Sequence, residues 1–413
     1  MRCAMRLFLV LATMAALAPV PAAAVQARRD PQRPRLESGA DTNDALVYYN
    51  RGMDLLDRDP EGAAKAFFWA TRLDPTWAGA LYARRIAGYM ADPRFLVRYL
   101  DGDRRTVASA DARRLDSLEY RAQRINPFFE RDLDRIFFFR YVVSAVEEGA
   151  RQHGGQVEGP DRSEIEFLVE QALRSNEVSP WLRAHLAQAE HQFPEAIRLF
   201  RYALRDSRDK VGVHQDLAHV FYSTGAFDSA LTHLQAALDE LGQRDADRLV
   251  RVYESKELLE HAIGAIHERR GELAAAREAY GRALQENLSY YPAHLRLGLL
   301  AFAAGDTAQA LQELGLAVEV APAEVLALVT YGALLAQIGR AEEALPHLHK
   351  AAELEPYYAL PYYLLGRAED FSQQYARAIT DYRAFLTRAS RRHPYRDEVT
   401  RRVADLEAFS KGP

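Results

Sequence analysis

Residues 297–322 read LGLLAFAAGDTAQALQELGLAVEVAP, and residues 331–356 read YGALLAQIGRAEEALPHLHKAAELEP. The two segments begin 34 positions apart and keep several residue types in register. A glycine stands at Gly298 and Gly332, an alanine follows twelve positions later, and a proline closes each segment. Proline ends a helix because it lacks an amide hydrogen and clashes with the preceding turn. Self-similarity at a period of this size predicts stacked helical pairs that share one core.

A third segment continues the period and carries the same pattern of small and large residues. Gly366 extends the glycine series, and Tyr382 extends the series of large residues at Leu314 and Leu348. A small residue in the first helix and a large one in the second resemble the tetratricopeptide repeat (TPR) family. The resemblance implies an all-α fold, an α-α superhelix (TPR solenoid) of antiparallel helix pairs with a C-terminal capping helix.

The strength of the repeat pattern varies along the chain and divides it into segments. Gly52, Phe67 and Pro75 mark one unit near the start, whereas residues 77–177 depart from the pattern but keep helical periodicity. That region is either a set of diverged repeats with long loops or a helical insertion. The predicted segments are 1–27, signal peptide; 28–44, flexible linker; 45–76, N-terminal TPR-like unit; 77–177, irregular helical region or diverged repeats; 178–390, TPR array; and 391–413, capping helix and tail.

The first residues predict export. Two arginines precede an apolar run at 7–17, and small residues follow at 22–27. This order is the layout of a secretory signal peptide, with cleavage expected after Ala24 or Ala27. The apolar run is shorter than the roughly 20 residues that a membrane span requires. An uncleaved anchor is the alternative, and we expect an exported protein, periplasmic or extracellular.

The sequence contains none of the common catalytic signatures. The single cysteine, Cys3, precedes the apolar run, so the mature chain would have no disulfide, thiol nucleophile or cysteine metal site. A glycine-rich phosphate loop, an HExxH helix and a GxSxG elbow are all missing from the sequence. The net charge is −5, and no single stretch is strongly basic, which argues against a nucleic-acid partner. We therefore predict a non-enzyme with no catalytic residue, no metal site and no cofactor.

The resemblance also implies where a partner would bind. In this family the first helices of successive units line a concave groove, and the second helices form the outer wall. The implied partner-binding residues are Leu295, Leu299, Phe302, Leu326, Val329, Tyr363, Arg367 and Phe371. Further upstream, the same carry-over places His219 and Tyr222 on the inward side. The alternative is that Leu295, Leu299 and Val329 pack between helices, or that the chain's own N-terminal region fills the groove.

Three classes of function follow from these features. The leading hypothesis is a non-enzymatic scaffold or adaptor in the bacterial envelope that binds a peptide or partner protein in the concave groove. The alternative is a self-assembling structural component of an envelope or export complex, which would be a homo-oligomer. The third class is an enzyme within residues 77–177, for which a deep polar pocket with converging ionisable groups would be the evidence. No membrane span is expected after cleavage.

Overall fold

The computed structural model describes residues 30–152, 167, 178–247 and 255–410. The chain divides into two compact units, residues 1–32 and residues 33–413, and every contact discussed below lies within the second. The predicted signal peptide at 1–27 and the last residues of the predicted tail lie outside the described residues.

The described residues contain helices and no strands. In chain order the helices are α1 Ala45–Leu55, α2 Pro60–Leu73, α3 Ala78–Met90, α4 Pro93–Leu100, α5 Arg104–Val107, α6 Ala110–Ile125, α7 Asp134–Gln152, α8 Pro180–Ala189, α9 Phe193–Asp206, α10 Lys210–Ser223, α11 Phe227–Asp247, α12 Lys256–Arg269, α13 Leu273–Glu286, α14 Tyr291–Ala303, α15 Thr307–Val320, α16 Val325–Gln337, α17 Ala341–Leu354, α18 Leu360–Phe371, α19 Tyr375–Arg388 and α20 Arg396–Ser410.

Consecutive helices pack as antiparallel pairs, most closely α1 with α2, α10 with α11, α12 with α13, α14 with α15, and α18 with α19. The periodic glycines lie where the two helices of a pair approach each other. A Cβ at Gly298 would lie 2.7 Å from the Leu314 side chain, and one at Gly366 would lie 2.5 Å from the Tyr382 ring. The all-α solenoid predicted from the repeat is therefore confirmed, and close helix approach is the reason for its small residues.

Gly332→Ala should destabilise the protein, whereas Gly315→Ala should stabilise it. A Cβ at Gly332 would lie 2.6 Å from Leu348, which forces this packed pair apart at a cost of about 1–3 kcal/mol. At Gly315 in α15 the nearest atom would be 3.6 Å away, so helix propensity decides and favours alanine by about 1 kcal/mol. Urea unfolding followed by circular dichroism measures both changes. Equal shifts in the two variants would contradict the close-packing explanation.

Part of the irregular region is a helical pair with an insertion. Helix α3 packs against α6, and a Cβ at Gly88 would lie 2.4 Å from Leu115. This is the glycine-to-large-residue contact of the regular units. Helices α4 and α5 stand between the two partners in the sequence, which is why the 34-residue period is lost there. Residues 77–125 thus contain a helical pair with this contact, with α4 and α5 between its two helices, and whether the region is a diverged repeat stays a prediction.

The turn inside the helical pairs repeats one backbone conformation. Gly305 and Gly339 have φ values of +83° and +82°, in the left-handed region that favours glycine. The next equivalent position along the chain is Gln373, with a φ of 60°, and an earlier one is His191, with a φ of 58°. The geometry therefore belongs to the repeat and persists where the side chain is not glycine.

The last helix covers the end of the array. Val399, Val403 and Leu406 of α20 are buried in the same core cluster as α18 and α19. Both oxygens of Asp370 accept hydrogen bonds from Arg402 at 2.7 Å. In the sequence Phe409 continues the helical spacing of these apolar residues. Its side chain, however, is 71% exposed, with its ring 5.5 Å from that of Tyr375.

The N-terminal units contact loops of the last units. The Trp69 and Tyr357 rings lie 5.0 Å apart, and Arg72 forms an ion pair with Glu355. Residues 33–44, within the predicted linker, have no helix, and the Asn43 side-chain amide donates a hydrogen bond of 2.8 Å to the Thr387 carbonyl. These contacts place the N-terminal units beside the C-terminal repeats and limit which repeat surfaces remain open.

Candidate functional site

Three of the eight predicted groove residues belong to the protein core. Leu295, Val329 and Tyr363 are 4%, 6% and 4% exposed. Leu295 and Val329 belong to buried clusters formed with neighbouring helices, and the Tyr363 ring stacks on Tyr395 at 4.3 Å. As surface contacts for a partner, these three assignments are corrected: the side chains stabilise the solenoid. For Leu295 and Val329 the alternative of packing between helices is the one observed.

The other five predicted residues remain accessible to different degrees. Leu299 is 39% exposed, Phe371 is 67% exposed and Arg367 is exposed. Phe302 and Leu326 are half-buried against the core cluster around α14 and α15. The Phe371 ring lies beside the turn at Gly339, 3.7 Å from the position of an added Cβ. The accessible residues of the predicted groove are therefore four apolar side chains and one arginine, and partner binding there stays a prediction.

Further upstream, the chain itself occupies the predicted groove. The Phe128 ring stacks on Tyr222 of α10, with centroids 3.9 Å apart and an angle of 7°. His219 places Nε2 2.9 Å from the Phe129 carbonyl, and Gln188 places its amide nitrogen 3.1 Å from His219 Nδ1. Because a carbonyl only accepts, His219 Nε2 carries the hydrogen and Nδ1 accepts from the amide. His219 and Tyr222, predicted to face inward, thus hold the segment after α6.

Charged groups fix this segment beside α8 and α10. Asp216 Oδ2 accepts a hydrogen bond of 3.0 Å from Trp181 and lies 3.2 Å from His185 Nε2. Asp216 Oδ1 lies 3.5 Å from Arg131. Tyr82 donates a hydrogen bond to Asp134 across the same cluster. Since a buried charge needs partners, the cluster is a connected network rather than a set of separate ion pairs.

The network sets the protonation of its members. Burial alone would raise the pKa of Asp216, but His185, Arg131 and Trp181 together hold it below the ordinary value. Burial raises the pKa of Asp134, and Arg131 and His185 only partly oppose that change. Burial, reinforced by the charge of Arg131, lowers the pKa of His219 to about 3. Asp216 is thus the anion around which the cluster is organised.

Two cavities flank the segment after α6 that contains Phe128 and Arg131. One of about 390 Å³ is lined by Phe128, Trp181 and Asp216, and one of about 450 Å³ by Gln188 and Tyr222. Ionisable groups from the irregular region do converge here with the repeat helices. His219 lines both cavities, but both of its ring nitrogens are engaged and its pKa is about 3, so it is a poor proton acceptor. The contacts of these groups are structural, since they hold the segment after α6 against α8 and α10.

The described residues contain neither a candidate metal-ligand group nor a candidate membrane-spanning helix. Within them, no group of three or more histidine, cysteine, aspartate or glutamate side chains is placed to hold a metal ion. None of the described helices combines the length and apolar character needed to cross a membrane. His347, which the sequence places two residues from His349, packs its ring 5.0 Å from Tyr331.

Comparison with known families identifies the repeat. A family model described as tetratricopeptide repeat matches residues 187–251, which extend from the end of α8 past α11. Residues 187–251 therefore contain tetratricopeptide repeats. No curated protein matches its sequence.

Several solved structures are similar to this chain at low identity. MamA (residues 41 to the end) from Desulfovibrio magneticus RS-1 is 21% identical, with 39% of this chain and 88% of that chain covered and a TM-score of 0.35. YrrB, described as a TPR protein with an unusual peptide-binding site, is 19% identical over 46% of this chain and 91% of its own, with a TM-score of 0.35. The Cut9–Hcn1 structure is 13% identical over 87% of this chain and 76% of that chain, with a TM-score of 0.39.

The TPR resemblance located the inward positions but not what covers them. It placed Tyr222 on the inward face, and the structure shows the Phe128 ring stacked there. The signal that could have drawn attention to Phe128 was the pair of aromatic residues after Pro127, at the end of a helix. Nothing in the 34-residue period relates that pair to α10, because the pair lies outside the period.

Proposed function

We propose that this TPR protein is a non-enzymatic scaffold of the bacterial envelope that binds a peptide or partner protein on the inward side of α14, α16 and α18. The observation that carries the proposal is the exposure of Leu299 and Phe371 at positions that the repeat directs into the groove. Exposed large apolar side chains in a concave setting are typical of interaction sites. The envelope location rests on the signal-peptide pattern of residues 1–27.

The remaining groove suits an apolar anchor with a polar neighbour. The inward positions of α10 are covered by the Phe128 segment, so an incoming partner would find its open surface toward the C-terminal units. Arg367 is exposed one helical turn before Phe371 and can contact an acidic or carbonyl group. Burial of each large anchor by a partner would contribute about 1.5–3 kcal/mol.

The double substitution Leu299→Asp, Phe371→Asp should weaken partner binding by at least about tenfold, since a tenfold change corresponds to about 1.4 kcal/mol. The partner is first identified by crosslinking and affinity capture from the cell envelope, and its Kd is then measured with purified proteins. The matched control is Leu273→Asp, Leu288→Asp, which makes the same charge change at leucines that are 45% and 77% exposed near the ends of α13.

The outcome of this comparison decides the site. Loss of binding in the groove variant with retention in the control supports the proposal. Equal affinity for all three proteins would place the binding surface elsewhere. If the captured partner is a second copy of the chain, with a mass that rises with concentration and falls in the groove variant, the protein is a self-assembling component instead of an adaptor.

A further inference from the structure

Four arginines lie on α2, α3 and α6, where α3 packs against both of the other helices. Arg84 lies on α3, Arg114 and Arg121 lie on α6, and Arg72 lies at the end of α2. The positive charges of Arg121, Arg114 and Arg72 all act on Arg84, and Glu355 is the carboxylate that opposes them. Burial, followed by the repulsion from these like charges, lowers the pKa of Arg84 to about 10.

Carboxylates of the chain balance only part of this charge. Arg72 forms an ion pair with Glu355, and Arg114 lies 3.5 Å from Asp111. The Arg84 guanidinium lies 4.6 Å from the centre of the Phe68 ring. Across the part of the chain that the structure describes, neither Arg84 nor Arg121 has an ion pair or hydrogen bond to a carboxylate. Arg84 and Arg121 are thus half-buried cations on two helices that pack against each other, an arrangement that an external anion would stabilise.

Arg84, Arg114 and Arg121 form a strip, because Arg114 and Arg121 are spread along α6 and do not converge on one position. Arg114 and Arg121 are seven residues apart on one face of α6, which corresponds to about 10 Å along the helix axis. Arg124 follows one turn later, with its guanidinium 4.1 Å from the centre of the Tyr291 ring and 3.9 Å from Glu324. An extended peptide in the polyproline II conformation advances about 3.1 Å per residue with three residues per turn, so carboxylates three residues apart lie on one side and roughly match this separation. A single phosphate would reach only one part of the strip.

We propose that Arg84, Arg114 and Arg121 bind acidic side chains of an extended peptide. The inference rests on the proposed scaffold function and specifies its partner as a protein with a cluster of aspartate or glutamate residues. Arginine suits this role because its planar fork can give two hydrogen bonds to one carboxylate. The whole chain has a net charge of −5, so general attraction would not bring a polyanion to it. Recognition would depend on this local strip.

The test uses the full chain and a fluorescent octaglutamate peptide, with binding followed by anisotropy at low ionic strength. The Arg84→Gln, Arg121→Gln variant should bind at least tenfold more weakly than the native protein. The control Arg208→Gln, Arg392→Gln makes the same charge change at two exposed arginines far from α3 and α6 in the sequence, and should bind within twofold of native. Octaglutamine should not bind to any of the proteins. Increasing salt should weaken octaglutamate binding, because exposed charges are screened.

Two further measurements keep the result interpretable. Octaglutamate should raise the Tm of the native protein but not that of the variant; if the double variant does not fold, Arg121→Glu alone is used in its place. Equal octaglutamate affinity in the arginine variant and the control would overturn the proposal. So would binding of inorganic phosphate at this site without binding of octaglutamate, since the site would then take a phosphate group.

The experiment also separates this inference from the proposed function. A partner that is lost in the Leu299→Asp, Phe371→Asp variant but retained at full affinity in the arginine variant would leave the scaffold function intact. Acidic recognition by the strip would then be wrong. Loss of the partner in both variants would place one extended ligand on both surfaces.

Discussion

Asp216→Ala should lower the free energy of unfolding by about 3–5 kcal/mol, because it removes the carboxylate from a buried ionic network. Arg131, which is largely buried, and His185, which is buried, would lose the carboxylate that lies 3.5 Å and 3.2 Å from them, and the Trp181 indole would lose its acceptor. Urea unfolding followed by circular dichroism measures the loss. Trp181 fluorescence should also shift, since its indole nitrogen donates to the deleted group.

The control for this prediction is an exposed ion pair. Asp228 is 90% exposed in its side chain and lies 2.6 Å from Arg270, so Asp228→Ala should cost less than about 1 kcal/mol. Limited proteolysis adds a local readout. In the Asp216→Ala variant the segment around Phe128 and Arg131 should become susceptible to cleavage, because its ionic anchor is gone. Similar losses of stability in the two variants would contradict a special role for the network.

The second large effect is a loss of stability in acid. Burial lowers the pKa of both His219 and His261 to about 3, helped by Arg131 in one case and by Arg296 and Arg124 in the other. In the unfolded chain these imidazoles bind protons from about pH 6.5, while in the folded protein they stay neutral. The contribution of these two histidines to the free energy of unfolding is therefore fully present above pH 6.5. It falls as the pH drops, by about 1.4 kcal/mol per pH unit for each histidine.

A buried carboxyl group has the opposite effect at higher pH. Burial, with the nearby Asp381, raises the pKa of Glu369 to about 8. The folded protein thus holds a proton on Glu369 that the unfolded chain releases above about pH 4.5, so raising the pH through 8 removes stability. Together with the histidines, this predicts a maximum of stability close to pH 6.5.

Thermal unfolding between pH 4.5 and 9 tests this profile. The Tm should be highest near pH 6.5 and lower on both sides. His261→Gln should flatten the acid side, since it removes one of the two imidazoles whose pKa is lowered to about 3, and Glu369→Gln should flatten the alkaline side. A native protein whose Tm is constant from pH 5 to 8 would show that these side chains titrate alike in the folded and unfolded chains.

The groove residues show which structural features could be predicted from the sequence and which could not. The repeat register correctly assigned the pairing of helices, because Gly298 and Leu314 meet within one 34-residue unit. It could not separate Leu295, which is buried, from Leu299, which is 39% exposed, although the two lie one turn apart on α14. Exposure at such positions depends on how neighbouring units pack, and the spacing of residues does not carry that information.

The sequence by itself determined the helices, the repeat and the small residues at which helices meet. These features are local, since each helical pair contacts mainly its neighbours, and a periodic pattern is enough to specify them. Only the tertiary structure decided what occupies the repeat surface. His219 meets the Phe129 carbonyl across 90 residues, and Asn43 meets Thr387 across 344 residues. Such contacts depend on the small rotation of each repeat relative to the next. These rotations add up along the array, so the residue pattern of a single repeat does not determine which distant residues meet.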